Sequence, residues 1–262
     1  MMNETIRIHG GDGPTMLLLA GGAASSHGFF PGLVRGLRDE PGCRVIEYDR
    51  PGTGLSTERG TFAEASSHLH RMITDLQVGP VIVVGQSLGG AAAASLAHDH
   101  PDDVAGLVLL DPTPVNDPTV AARLERAYGM VAAAARLPGV PALLRYATLR
   151  SIDRSIRRRP LRPDCIDAYR RLADTDHPQL RRSLHGLART ADQFRETDLR
   201  HVPTVVVTAD RKGGRVNASH RRLADGFGGT LEIWPGSTHA MHLEFPDRTL
   251  ATVRDMVART DP

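Results

Sequence analysis

Val81-Ile-Val-Val-Gly85-Gln86-Ser87-Leu88-Gly89-Gly90 is a run of β-branched residues that stops at a glycine, presents one serine and continues into small residues. The pattern predicts a strand, a tight turn and a helix, with the serine at the turn. A turn that sharp holds Ser87 in a strained backbone conformation, and glycines at 85 and 89 avoid Cβ clashes with the neighbouring strand and helix. The hydroxyl then stands clear at a helix N-terminus. A serine that merely caps the helix start is the plainer alternative.

Working outward, further short β-rich runs lie at 5–9, 16–20, 44–48, 107–110, 205–208 and 230–234, bounded by Gly, Pro and Asp. Helical periodicity separates them. Thr61-Phe-Ala-Glu64 reads as a capping box before Ala65, Leu69, Met72, Ile73 and Leu76, one apolar helix face. The alanine-rich segment 88–98 is a helix able to pack close to a sheet, and Pro246-Asp247 opens a last helix with Leu250, Val253 and Val257 inward. Strands alternating with helices predict an α/β fold, a mostly parallel central sheet with helices on both faces.

Between about Val115 and Arg200 the β signal disappears, and Val120, Leu124, Ala127, Val131 and Ala135 recur at helical spacing. The expected organisation is a core in two parts, residues 1–114 and 201–262, with an inserted helical cap at 115–200. The insert holds 17 arginines against 10 acids, net +7, whereas the rest carries −5, so the halves should attract. Within it, Arg157-Arg158-Arg159 reads most simply as a solvated run, and a cap lining that attracts an anionic or oxygen-rich substrate is the sharper alternative. Met130, Leu143, Leu144, Tyr146, Ile156 and Tyr169 are candidates to line a pocket beneath the cap, although packing on the core is the commoner fate of such residues.

Composition narrows the function classes. With 262 residues, 40% hydrophobic and 24% charged, the chain is long and apolar enough for one well-buried core. A net charge of +2 disfavours nucleic-acid binding across a broad face. No apolar run approaches the ~20 residues of a membrane span, and the opening MMNETIRIHGGDG lacks the basic head and apolar core of a signal peptide. The expectation is a cytoplasmic protein acting on a small molecule, with neither nucleic acid nor membrane as partner. Cys43 and Cys165, the two cysteines, form neither a disulfide framework nor a metal knuckle, and Lys212 is the single lysine. His68 with His70, and His98 with His100, sit two apart on predicted helices, hence on different faces, and read as surface residues, not metal ligands.

With the G-x-S-x-G turn in strand–helix context, the chain resembles the α/β-hydrolase superfamily over nearly its whole length. Leu17-Leu-Leu-Ala-Gly21-Gly22-Ala23-Ala24-Ser25-Ser26 is similar to the family's oxyanion loop, and Tyr48-Asp49-Arg50-Pro51-Gly52-Thr53-Gly54-Leu55-Ser56 to its D-x-P-G-x-G-x-S turn. Pro235-Gly236-Ser237-Thr238-His239 is similar to its catalytic-histidine loop. The resemblance implies Ser87 as nucleophile, His239 as base, with His242 a weaker candidate, and the N–H groups of Gly22 and Leu88 as oxyanion donors. Ala20 stands where many members have His, a change that backbone donors tolerate.

The acid has two candidates. Asp111 ends the strand at 107–110, a position some members use. Asp210 follows the strand after the cap, where most members place the acid, but it falls two residues before the family's position, which Lys212 occupies. The displaced loop tilts the assignment toward Asp111, with Asp210 nearly level. A serine at 87 disfavours dehalogenase and epoxide hydrolase chemistry, which need a carboxylate there. The implied activity is hydrolysis of a carboxylic ester, lactone or thioester through an acyl-enzyme, without metal or cofactor. Two alternatives remain open: the same triad used for acyl transfer, lactone closure or lyase chemistry, or a non-catalytic ligand-binding module.

Overall fold

A computed structural model describes residues 5–211 and 213–260. Lys212, and the first four residues of the opening stretch weighed above as a leader, lie outside the described residues. The chain begins with β1 (Ile6–His9), β2 (Thr15–Leu19), α1 (Leu33–Asp39), β3 (Arg44–Tyr48), α2 (Ala65–Leu76), β4 (Val81–Gln86), α3 (Leu88–Asp99) and β5 (Val104–Leu110). Five helices follow: α4 (Pro118–Ala134), α5 (Val140–Arg158), α6 (Pro163–Arg171), α7 (His177–Leu184) and α8 (Leu187–Gln193). The chain then returns to β6 (Thr204–Ala209), α9 (Arg215–Gly226), β7 (Thr230–Trp234), α10 (Met241–Glu244) and α11 (Pro246–Thr260).

The strands form one sheet in the order β1-β3-β2-β4-β5-β6-β7. Among the described residues, only β1 runs antiparallel, against β3; all other pairs are parallel. Alternate residues of each strand face opposite sides, which divides the core in two. Leu17, Leu19, Val81, Val83, Leu107, Leu109 and Val206 pack beneath α2, α3 and α9. Met16, Leu18, Ile82, Val84, Val108, Leu110, Val205 and Val207 pack against α1 and α11. Both faces are covered, as a parallel sheet requires.

The capping box at Thr61–Glu64 forms, and it closes a short 3₁₀ turn that leads into α2. In α3, Ala91 to Ala94 are fully buried, so the small side chains let this helix sit close to β4 and β5. Between residues 115 and 200 the described residues are helices and turns, with no strand. This segment docks on the core through buried apolar side chains, among them Val115, Ala121, Leu184, Leu187 and Phe194, and through arginines. Arg162 pairs with Asp247 and donates to the Pro31 carbonyl, Arg171 donates to the Gly28 carbonyl, and Arg200 pairs with Asp102. The arginine run at 157–159 is not wholly solvated, because Arg159 lies 4.0 Å above the Phe245 ring and donates to the Gly236 carbonyl. No helix among the described residues is long and apolar enough to cross a membrane.

Candidate active site

In a parallel sheet, residues at the carboxyl ends of adjacent strands converge on one edge. Ser87 follows β4, Asp111 follows β5, Asp210 follows β6 and His239 follows β7. Ser87 has φ 52° and ψ −118°, a conformation that costs about 1–3 kcal/mol and must be held by its surroundings. Its N–H donates to the Leu110 carbonyl at 3.1 Å, and its carbonyl accepts from the Thr113 and Ala91 N–H groups. Gly85 and Gly89 make the turn possible. A Cβ on Gly89 would stand 2.3 Å from the Leu19 carbonyl oxygen, and one on Gly85 would stand 2.6 Å from that of Gly89.

His239 joins the serine to a carboxylate. Its Nε2 lies 2.9 Å from Ser87 Oγ, and its Nδ1 lies 2.5 Å from Asp111 Oδ2. With Nδ1 donating to the carboxylate, Nε2 is free to accept the hydroxyl proton. Asp111 is buried and has φ 44°, which turns its side chain back over the end of β5 toward the imidazole. Burial alone would raise its carboxyl pKa. Hydrogen bonds from His239 and Arg211, with the charges beside them, more than reverse this and hold the carboxyl well below the usual range. The side chain therefore stays ionised.

The structure does not bring Asp210 to the imidazole. Its Oδ2 accepts the Gly236 N–H at 2.7 Å and its own N–H donates to the Ser237 hydroxyl, so it braces the loop that carries His239. His242 is also apart from Ser87. It stacks on Phe29 with ring centroids 4.4 Å apart, and burial, reinforced by His239, pushes its pKa down to about 3, so the ring is neutral.

Ser87 opens onto two cavities. One, of about 430 Å³, is lined by the 21–29 loop, by Gly54 and Leu55, and by helical-insert residues including Tyr128, Arg171, Gln179 and Leu180. The other, of about 170 Å³, lies among Leu88, Pro112, Pro114, Leu124, Leu184 and Val216 and also reaches Arg211. Gly22, with φ 57°, borders both cavities, and Leu88, the first residue of α3, borders the smaller. Asp49 organises the neighbouring loops: its carboxylate accepts the Ser26 N–H at 2.6 Å and the Leu55 N–H at 2.8 Å.

Several expectations about the surroundings need correction. Met130, Leu143, Leu144, Tyr146, Ile156 and Tyr169 do not line either cavity at Ser87. Met130, Leu143 and Tyr146 are exposed, whereas Tyr169 and Ile156 pack with Ile152 and Ala168. Helical spacing marks these residues as one-sided but does not say which way the side turns. His70 and His100, thirty positions apart, stack with centroids 4.0 Å apart, and His70 Nδ1 lies 2.7 Å from Asp103 Oδ2. As placed, the rings are parallel within 5°, so no single point lies in both ring planes, as a shared metal ion would require.

Three further residues stand at the site, and no local sequence pattern marks their roles. Gln86 donates to the His239 carbonyl at 2.8 Å, Thr113 Oγ1 lies 3.4 Å from Ser87 Oγ, and Arg211 grips Asp111 through both terminal nitrogens. Gln86 is the residue before Ser87 in the G-x-S-x-G turn. Arg211 has no sequence signal beyond adjacency to Asp210, and Thr113 none beyond lying two residues after Asp111.

The profile of the alpha/beta hydrolase family matches residues 16–252. The chain belongs to this family. Among relatives, it is 39% identical over 109 residues to the esterase Rv0045c of Mycobacterium tuberculosis, covering 40% of this chain and 35% of that protein. It is 41% identical over 97 residues to the magnesium-chelatase 30 kDa subunit of Rhodobacter capsulatus, covering 34% and 32%. The matched stretch spans less than half the length of these curated relatives. Among solved structures, a thermophilic esterase from Thermogutta terrifontis superposes over 98% of this chain and 94% of that one, with a TM-score of 0.74 and 22% identity. At that identity the likeness speaks for the fold.

Proposed function

We propose that this protein is a serine hydrolase that cleaves a carboxylic ester, lactone or thioester of a small molecule. The observation that carries the proposal is the hydrogen-bonded series Ser87 Oγ, His239 and Asp111, at the junction of two cavities. The hydrolase family membership supports it, as do relatives bearing esterase names.

In the proposed mechanism His239 Nε2 takes the Ser87 proton as Oγ attacks the acyl carbon. The resulting imidazolium is stabilised by ionised Asp111. The backbone N–H groups of Gly22 and Leu88 receive the negative charge on the tetrahedral oxygen, with Leu88 contributing the positive end of α3 as well. His239 then returns the proton to the leaving alcohol or thiol, which departs. Water, deprotonated by the same imidazole, attacks the acyl-enzyme and frees the acid and Ser87. Side chains, backbone and water carry every step. The helical segment 115–200 acts as a cap that supplies one wall of the larger cavity and shields the acyl-enzyme from bulk water.

A panel of p-nitrophenyl esters from acetate to octanoate, with a lactone and an acyl thioester beside them, tests the reading. Saturable turnover of at least one substrate class is expected, with preference set by chain length. Absence of turnover across all three classes by folded protein would contradict it.

A further inference from the structure

The geometry points to Arg211 as a positioning residue that sets the basicity of His239 through Asp111, an inference that rests on the serine hydrolase reading of this site. A carboxylate can accept about four hydrogen bonds, and here all four are filled. Oδ1 accepts from Arg211 Nη1 at 2.5 Å and from the Ala209 N–H at 3.1 Å, while Oδ2 accepts from Arg211 Nη2 and from His239 Nδ1 at 2.5 Å. The fork-to-fork grip fixes the carboxylate plane, and with it the direction in which Oδ2 meets the imidazole.

The same contact changes the charge that His239 faces. An isolated carboxylate presents a full negative charge to the imidazolium formed during catalysis. A carboxylate paired with guanidinium presents the negative end of a neutral pair, so it stabilises the imidazolium less. Arginine does not lose its charge in the working pH range, so the effect is permanent. Asp111 is almost fully buried, while the Arg211 side chain is about one-third exposed, at 33%.

No other fixed charge duplicates this role among the described residues. From α9, His220 places Nδ1 4.0 Å from Asp111 Oδ1, but burial pushes its pKa down and its Nε2 is engaged with the Pro112 carbonyl, so it contributes a neutral ring. From α10, His242 is neutral and Glu244 is bonded to Thr238. Asp210, beside Arg211 in the chain, is turned to Gly236. Thus Arg211 keeps His239 available as an unprotonated base at lower pH than a bare Asp-His pair would, at the expense of some transition-state stabilisation.

Arg211→Gln and Arg211→Met remove the charge, the first keeping an N–H donor, whereas Arg211→Lys keeps it without the fork. In both uncharged variants, the acid limb of the pH profile of kcat/KM should move up by about one pH unit, the size expected for a partly screened unit charge several ångströms away. The lysine variant should restore the limb toward wild type. The His239 ring titration, followed by NMR on histidine-labelled protein and assigned by its loss in His239→Gln, should move the same way. That readout needs no substrate, so it tests the inference even if no ester is turned over. A limb and ring titration that stay at the wild-type position in folded Arg211→Gln and Arg211→Met, or that move down, would overturn it, as would a lysine variant indistinguishable from glutamine. A fall in kcat alone would mean that Arg211 is only a structural brace.

Discussion

Replacing Ser87 with alanine is expected to lower kcat on the best ester found by on the order of 10⁶-fold while leaving the fold intact. The magnitude follows from the role proposed for the residue. A nucleophile that works as a unit with its base takes most of the catalytic advantage with it, and the residue left behind is what oxyanion donors and binding supply alone, about 10³–10⁴ over water. Alanine also removes only one oxygen at a position already strained at φ 52°. Circular dichroism and thermal unfolding should therefore differ little from wild type, and any stability change should be small beside the kinetic one. An alanine variant with wild-type turnover would remove Ser87 from the chemistry.

The second large effect separates the two acids. Asp111→Asn should cost on the order of 10⁴-fold in kcat, because an amide nitrogen in place of Oδ2 can no longer accept the Nδ1 proton, which frees the ring to adopt the wrong tautomer. It would also leave the Arg211 fork facing an uncharged partner, so reduced thermal stability should accompany the kinetic loss. Asp210→Asn should cost about tenfold at most. Its Oδ2 bond to the Gly236 N–H is a loop brace worth ~1 kcal/mol, and an asparagine oxygen can replace it. Comparison of kcat for the two variants on one substrate decides the matter, and the reverse ranking would move the acid role to Asp210.

That comparison falls where the sequence was ambiguous, for a physical reason. The strands, the elbow serine and the histidine loop are written in local patterns: period-two or continuous β-branched runs, glycines where Cβ atoms would collide, and a Gly-Ser-Thr-His turn after the final strand. Asp111 and Asp210 both end strands that lie side by side in the sheet, β5 and β6, so local pattern treats them alike. What distinguishes them is the left-handed backbone at Asp111 and the capture of Asp210 by Ser237 and Gly236, both settled by contacts distant in sequence. The cavity wall was hidden for the same reason. Tyr128, Gln179 and Leu180 reach it, while Met130, Leu143 and Tyr146 point to solvent, because the rotation of each insert helix is set by its packing on neighbouring elements rather than by its own periodicity. The stacked pair His70 and His100 is the clearest case, since spacing separates the two rings and packing of α2 against the end of α3 brings them together.

Whether Ser87 is an activated nucleophile is read most directly from the intact mass of wild type and Ser87→Ala after exposure to a fluorophosphonate. An activated serine displaces fluoride and gains the phosphonyl mass, whereas an ordinary serine hydroxyl does not react at a comparable rate. One adduct per chain is expected on the wild type and none on the alanine variant. Equal labelling of both proteins, or no labelling of folded wild type, would contradict the claim that Ser87, His239 and Asp111 form a working nucleophilic site.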